Sequence, residues 1–240
     1  MGGTVDQTLR AITVLADRYV AEPSRIVTAI ELMNEPLLPG VNIDQLRQFY
    51  GDGYGRVRER NPETAVILSD AFQGPSFWND FNPGDNVIVD AHFYQIFTPD
   101  LIRLDLEGHI STACATAGTI QAANKATMVG EWSSALTDCA KYLNGRYTGS
   151  RFEGDFGNVP ETIGSCAGKS SGTVEALSLE DKTNIRRFNE AQLDAYESGI
   201  GWVYWTWKTE GAPEWDMQAQ LAAGLFPQPL TDRQFPGQCA

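Results

Sequence analysis

Apolar, β-branched-rich runs alternate with helix-period stretches along all 240 residues, and this alternation limits the fold more than any other feature. Five runs read as strands: Ile26–Met33, Ala65–Leu68, Val87–Phe93, Thr127–Val129 and Trp202–Trp207. Val5, Leu9, Ile12, Ala16 and Tyr19 recur at helical spacing within Thr4–Val20. Further helices are expected over Ile43–Glu59, Ile110–Asn124 and Leu179–Tyr196. The last opens with Ser178 followed by Asp181, a capping-box-like start. Strands that are apolar on both faces and separated by helices indicate a parallel sheet in an α/β fold. The Gly-, Ser- and Asn-rich stretch Asn144–Gly172 reads as a long insertion loop. No repeat and no break in composition divides the chain, so residues 1–240 are expected to form a single domain.

Composition removes several function classes. Eighteen basic against 31 acidic side chains leave a net charge of −13, which argues against nucleic acid as a partner. A hydrophobic content of 42% with 20% charged residues excludes a disordered or fibrous chain. No apolar run reaches the roughly 18 residues that a membrane-spanning helix needs. Four cysteines, Cys114, Cys139, Cys166 and Cys239, lack C-x-x-C spacing, and there are only two histidines, His92 and His109. A metal site is therefore not expected. An even number of widely spaced cysteines fits two disulfides in an oxidising compartment, with three possible connectivities; four free thiols in a cytosolic protein is the alternative. The first helix, interrupted by Arg10 and Asp17, is not a secretory apolar segment, so the cysteines and the N-terminus point in different directions. No Asn-x-Ser/Thr sequence occurs.

The chemically informative residues cluster where the strands end. The first run leads into Asn34-Glu35-Pro36, the third carries His92 and Tyr94, the fourth runs into Glu131-Trp132, and the fifth ends at Trp207-Lys208. In a (β/α)8 barrel the active site is built at the carboxyl ends of the strands. Counting by two, Asp90, His92 and Tyr94 share one face of their strand. Two strand-ending glutamates are what a retaining glycoside hydrolase requires, since it works with two carboxyl groups about 5–5.5 Å apart. One protonates the leaving oxygen, the other attacks the anomeric carbon, and their environments must separate their pKa values. The Asn34 amide suits a sugar hydroxyl, and Pro36 ends the strand sharply. Glu31 shares the parity of Glu35 and is expected to be a buried support residue pointing into the barrel. Trp202, Tyr204 and Trp205 are expected mainly in the core, leaving Trp207 to offer its face to a sugar ring. Phe97 could wall the cleft, and His109 has no comparable support.

The segments Ile30-Glu-Leu-Met-Asn-Glu-Pro36, Asp90-Ala-His-Phe-Tyr94, Val129-Gly-Glu-Trp132, Trp205-Thr-Trp-Lys-Thr-Glu210 and Gly224-Leu-Phe-Pro-Gln-Pro229 resemble fungal exo-β-1,3-glucanases of glycoside hydrolase family 5. The resemblance runs from the first helix to Cys239. It implies a retaining (β/α)8 hydrolase that releases glucose from the non-reducing ends of β-1,3-glucan without metal or organic cofactor. Carried onto matching positions, Glu35 is the acid/base and Glu131 the nucleophile. Asn34, His92, Tyr94 and Trp207 line the glucose subsite, with Phe97 at its entrance. The implied disulfides are Cys114 with Cys239 and Cys139 with Cys166. Such enzymes are secreted or held in the cell wall, and the complete protein is expected to be a monomer.

The family's barrel has eight strands, whereas five are read here, resembling its fourth to eighth. Three strands, a signal peptide, and an arginine and a histidine of early strands have no counterpart in this stretch. The alternatives within this reading are an endo-acting retaining β-glucanase or cellulase, or an inactive glucan-binding fragment. A barrel lacking three strands exposes two sheet edges. The isolated 240-residue chain is therefore expected to be poorly stable and weakly active or inactive. Assay of the purified chain on laminarin, together with a thermal melt, checks this. Robust hydrolysis with a sharp cooperative transition is the contrary outcome.

Overall fold

The computed structural model describes residues 3–21, 26–157 and 161–239. Its strands are β1 (Ala29–Glu31), β2 (Ala65–Ser69), β3 (Val87–Phe93) and β4 (Ala126–Trp132), and they form one sheet in the order β1-β2-β3-β4. The β1–β2 and β2–β3 pairs are parallel, with Ile30 opposite Val66 and Ser69 opposite Asp90. The helices are α1 (Gly3–Tyr19), α2 (Ile43–Arg58), α3 (Pro99–Ile102), α4 (Leu106–Gln121), α5 (Leu179–Tyr196) and α6 (Met217–Ala222). The chain forms two compact units. The first takes in the described residues up to His92 with Gly118–Val129 and Gly199–Gly201; the second takes in Phe93–Ala117, Gly130–Ser198 and the described residues from Trp202 on.

In the first unit the helices cover one face of the sheet. The stripe Leu9, Ile12 and Ala16 of α1 joins Leu46, Phe49, Tyr50 and Val57 of α2 in one buried cluster with Ile30, Leu32, Val66, Leu68, Val87 and Val89. Each such side chain, fully buried, contributes roughly 1.5–3 kcal/mol. Asn42 caps α2 by accepting from the Gln45 amide at 3.0 Å. Gly53 lets α2 lie directly on β1, because a Cβ there would come within 2.9 Å of Leu32 Cδ1. The Ile30–Leu32 face of β1 is thus the helix-covered one. Glu31, on the opposite face, is exposed, which corrects the expectation of a buried support residue.

The second unit is organised around Trp132, which is fully buried. The rings of Tyr196, Trp202, Tyr204 and Phe226 all lie within 6.0 Å of it, mostly edge-on. Ser178 caps α5 through the Asp181 amide at 3.0 Å. Within α5, Arg186 pairs with buried Glu190, whose carboxylate also accepts from the Gln234 and Phe235 amides. Disulfides link Cys114 to Cys239 and Cys139 to Cys166. Between Asn144 and Gly172 the described residues form turns and irregular chain, as the loop reading expects; residues 158–160 of that stretch lie outside the described residues. His109 is buried, with Nδ1 at 3.0 Å from Gln95 Oε1, and burial holds its pKa down at about 4.

Several boundaries differ from the sequence reading. The first run contracts to three strand residues, β4 extends to Trp132, and α4 begins at Leu106. The fifth run is not a strand; only Trp202 forms a bridge. The Ile200 amide donates to Thr127 O at 2.9 Å, but the carbonyl accepting from Val129 is that of Gly201. A regular parallel ladder would use the Ile200 carbonyl there. Gly201, at φ 153°, supplies that acceptor instead, and the regular ladder is lost there.

Glu214 gives the second unit a pH dependence. It is buried, accepts from Thr137 Oγ1, and lies 3.9 Å from Lys169 Nζ. Burial outweighs the lysine and pushes its pKa up to about 7 from 4.5. The folded state therefore binds more protons than the unfolded chain between those values. The stability Glu214 confers is full below about 4.5 and is lost as pH rises through about 7. Glu214→Gln removes this slope. Urea unfolding at pH 5 and pH 7.5 is expected to show wild type losing roughly 1–3 kcal/mol relative to the variant.

Candidate active site

The residues singled out by the sequence fall into two groups, one in each unit. In the first unit, Asn34 and Glu35 follow β1, and pairing with β2 continues past its end through the Leu32 amide to Ile67 O at 3.1 Å. Glu35 has a left-handed backbone, φ 46°, uncommon for a residue with a long side chain. Its carboxylate Oε1 lies 2.7 Å from His92 Nδ1, and the other ring nitrogen lies 3.2 Å from Asp90 Oδ2. His92 and Asp90 are buried, while about a third of the Glu35 side chain (35%) meets solvent. Each imidazole nitrogen thus faces a carboxylate. A doubly protonated ring donates to both, and a neutral ring requires one of the acids to hold the proton. Asn34 is exposed.

Beside this pair stands Asp70, which the sequence reading did not single out. It follows β2 directly, is buried, and accepts from the Phe72 and Gly74 amides at 2.9 and 3.1 Å. Burial raises its pKa to about 6 against the opposing pull of those amides and of His92. The signal available for it was an acid at the end of an apolar strand, the same signal that marked Glu35.

In the second unit the Tyr94 hydroxyl donates to Glu131 Oε2 at 2.8 Å. The Tyr94 ring meets Phe97 edge-on at 5.6 Å and tilts against buried Trp215 at 5.5 Å. Phe97 is 40% exposed, and Trp207 57% exposed. Trp205 is 51% exposed and not part of the core expected for it. Its amide donates at 2.8 Å to the carbonyl of Trp132, the last residue of β4, so the chain still runs beside that strand here although it makes no regular ladder. Trp215, which backs Tyr94, carried no strand-end signal.

By fold, the chain is a partial (β/α)8 barrel. It superposes on rutinosidase from Aspergillus niger with a TM-score of 0.58 at 17% identity, covering 93% of this chain and 57% of that one. For the Pseudomonas stutzeri endoglucanase the TM-score is 0.54 at 14% identity, with 92% and 60% covered. No family model matches the chain. In sequence it is 50% identical over 240 residues to the probable glucan 1,3-beta-glucosidase A of Neosartorya fischeri, covering all of this chain and 57% of that protein. It is 48% identical to the glucan 1,3-beta-glucosidase of Blumeria graminis, covering 99% of this chain and 57% of that protein. Over its whole length the chain is thus similar to these fungal glucan 1,3-beta-glucosidases. It spans little more than half the length of the relatives it matches, 57% in both of these cases.

Two substitutions separate scaffold from chemistry. Asp70→Ala leaves the Phe72 and Gly74 amides without their acceptor, and a loss of about 2–4 kcal/mol is expected in urea unfolding. Tyr94→Phe keeps the ring packing and removes only the hydroxyl, so unfolding is expected to shift by about 1 kcal/mol or less.

Proposed function

We propose that this chain is the larger part of a single catalytic domain of a retaining β-1,3-glucan hydrolase that removes glucose from non-reducing ends. The observation that carries this reading is that each of two strand-end glutamates is held by a side chain at the end of β3, Glu35 by His92 within the strand and Glu131 by Tyr94 just past it. Half-identity to glucan 1,3-beta-glucosidases over the whole chain supports the substrate class.

In the first step, the Glu131 carboxylate attacks the anomeric carbon as the glycosidic C–O bond breaks. Glu35, as the carboxylic acid, gives its proton to the departing oxygen. The product is a glucosyl ester on Glu131. In the second step Glu35, now a carboxylate, takes a proton from water. That water attacks the anomeric carbon and releases Glu131, with net retention. The Tyr94 hydroxyl steadies the nucleophile, and His92 helps hold the proton at Glu35. Asn34 and Trp207 contact the sugar, and Phe97 flanks its entrance. This chemistry calls on no metal or organic cofactor. Two disulfides support an extracellular or wall-associated protein; no helix among the described residues is long and apolar enough to cross a membrane.

A mechanism-based trap tests the assignment. Incubation of the complete catalytic domain with 2,4-dinitrophenyl 2-deoxy-2-fluoro-β-glucoside is expected to add one fluoroglucosyl group at Glu131, located by peptide mass spectrometry. Glu131→Gln abolishes the adduct. A label on another carboxylate, or none, overturns the nucleophile assignment. On laminari-oligosaccharides, glucose as sole product marks exo action, whereas a ladder of oligosaccharides marks endo action.

A further inference from the structure

Two tyrosines of the β4–α5 loop have no part in the chemistry above. Tyr142 is 59% exposed and Tyr147 88% exposed, the latter the most exposed of the large apolar side chains. Both have left-handed backbones, φ 67° and 69°. A basic neighbour lies 5.0 Å from each ring centre, Lys141 at Tyr142 and Arg146 at Tyr147.

The loop that presents them is tightly built. The fully buried Asp138 carboxylate accepts from the Arg151 and Phe152 amides at 2.8 and 3.0 Å, and from the Asn144 side chain at 2.9 Å. It also pairs with the Arg151 guanidinium at 3.1 Å. The next residue, Cys139, is crosslinked to Cys166. The rings are therefore mounted on a fixed support and not on a loose tether.

Two hollows of the second unit adjoin at this loop. One, of about 560 Å3, is lined by Trp205, Trp215, Thr209 and Glu210 and reaches Tyr142. The other, of about 260 Å3, is lined by Tyr142, Tyr147, Thr148 and Ser150. Both share Ala140, Lys141, Tyr142 and Ser170. Exposed aromatic faces thus alternate with hydroxyls and isolated charges from Trp205 to Tyr147. Such a surface suits a neutral polyhydroxylated chain, whose C–H faces cover aromatic rings while its hydroxyls meet serine and threonine.

We propose that Tyr142 and Tyr147 form a binding track for an extended β-glucan chain, separate from the residues that hold the reacting sugar. The inference rests on the β-glucan reading and specifies that the ligand is an oligosaccharide of several units. It is tested by calorimetry with laminaribiose and laminarihexaose on the whole chain. Wild type is expected to bind the hexaose at least about tenfold more tightly than the biose. In the double variant Tyr142→Asn with Tyr147→Asn, hexaose affinity is expected to fall about tenfold, with biose binding unchanged. Asparagine accepts the left-handed backbone, so the loop keeps its shape. The double variant Tyr142→Phe with Tyr147→Phe retains the rings and is expected to keep wild-type affinity. Hexaose binding that is unchanged in the asparagine variant, or no tighter than biose binding in wild type, overturns the track. The fluoroglucoside label reports separately on the hydrolase reading. A chain labelled at Glu131 whose hexaose affinity ignores both tyrosines loses the track alone. Tyrosine-dependent hexaose binding without a label keeps the track and overturns the hydrolase reading.

Discussion

Parallel register is the constraint on which the chemistry of the first unit depends. Ser69 lies opposite Asp90, and the Asp70 amide donates to Asp90 O at 2.8 Å, so β3 runs on past the end of β2 and carries His92 beyond it. On β3, Val87 and Val89 enter the helix-covered core while Asp90 and His92 point the other way. A slip of one residue would exchange these faces. It would place an acid and an imidazole among the α1 and α2 side chains and strip Glu35 of its partner. Burial of the valines therefore fixes the position of His92, and the hydrophobic pattern is also the device that aims the catalytic candidates.

Buried acids shape the electrostatics in both units, and the two units handle them differently. Asp70 and Glu214 are each surrounded by enough protein that burial raises their pKa values, to about 6 and about 7. Asp138, buried as deeply, is met by a guanidinium, an amide side chain and two backbone amides. Burial of a charge is costly unless hydrogen bonds and an opposite charge replace water. Asp138 has both and organises a loop around itself. Glu214 has a hydroxyl and a lysine that is also shared with Asp181, at 2.5 Å from that second acid. The nearer acid takes most of the lysine's benefit, which explains why burial prevails at Glu214.

Much of this was legible in the sequence because it follows from periodicity. The strand–helix alternation, the Ser178 cap and the shared face of Asp90, His92 and Tyr94 need only local rules. The illegible parts depend on what lies over a residue. Glu31 has the parity of a barrel-facing position, but parity does not say whether that face is covered. Trp202–Trp207 has the composition of a strand, yet past Gly201 it keeps only isolated bonds to β4, the Trp205 amide to Trp132 O among them, and composition does not reveal that the regular ladder is lost. Asp70 sits at a strand end like Glu35, but without a neighbouring amide or proline to mark it.

Backbone strain distinguishes residues kept for their side chains from residues kept for the chain path. Glu35, Tyr142 and Tyr147 all occupy the left-handed region, where glycine or asparagine would sit more comfortably. Non-glycine residues held there typically cost about 1–3 kcal/mol each. A turn alone would favour glycine, which adopts such angles elsewhere in the same loop, at Gly145 and Gly154. The cost at Glu35 is offset by the His92 hydrogen bond and by the buried Pro36 that follows it. At the two tyrosines, whose rings are largely in solvent, it is offset by the rigidity of the loop and by Lys141 and Arg146, each 5.0 Å from a ring centre. Such a surface contact contributes only about 0.5–1 kcal/mol, so the tyrosines recover less of their backbone cost from the fold than Glu35 does.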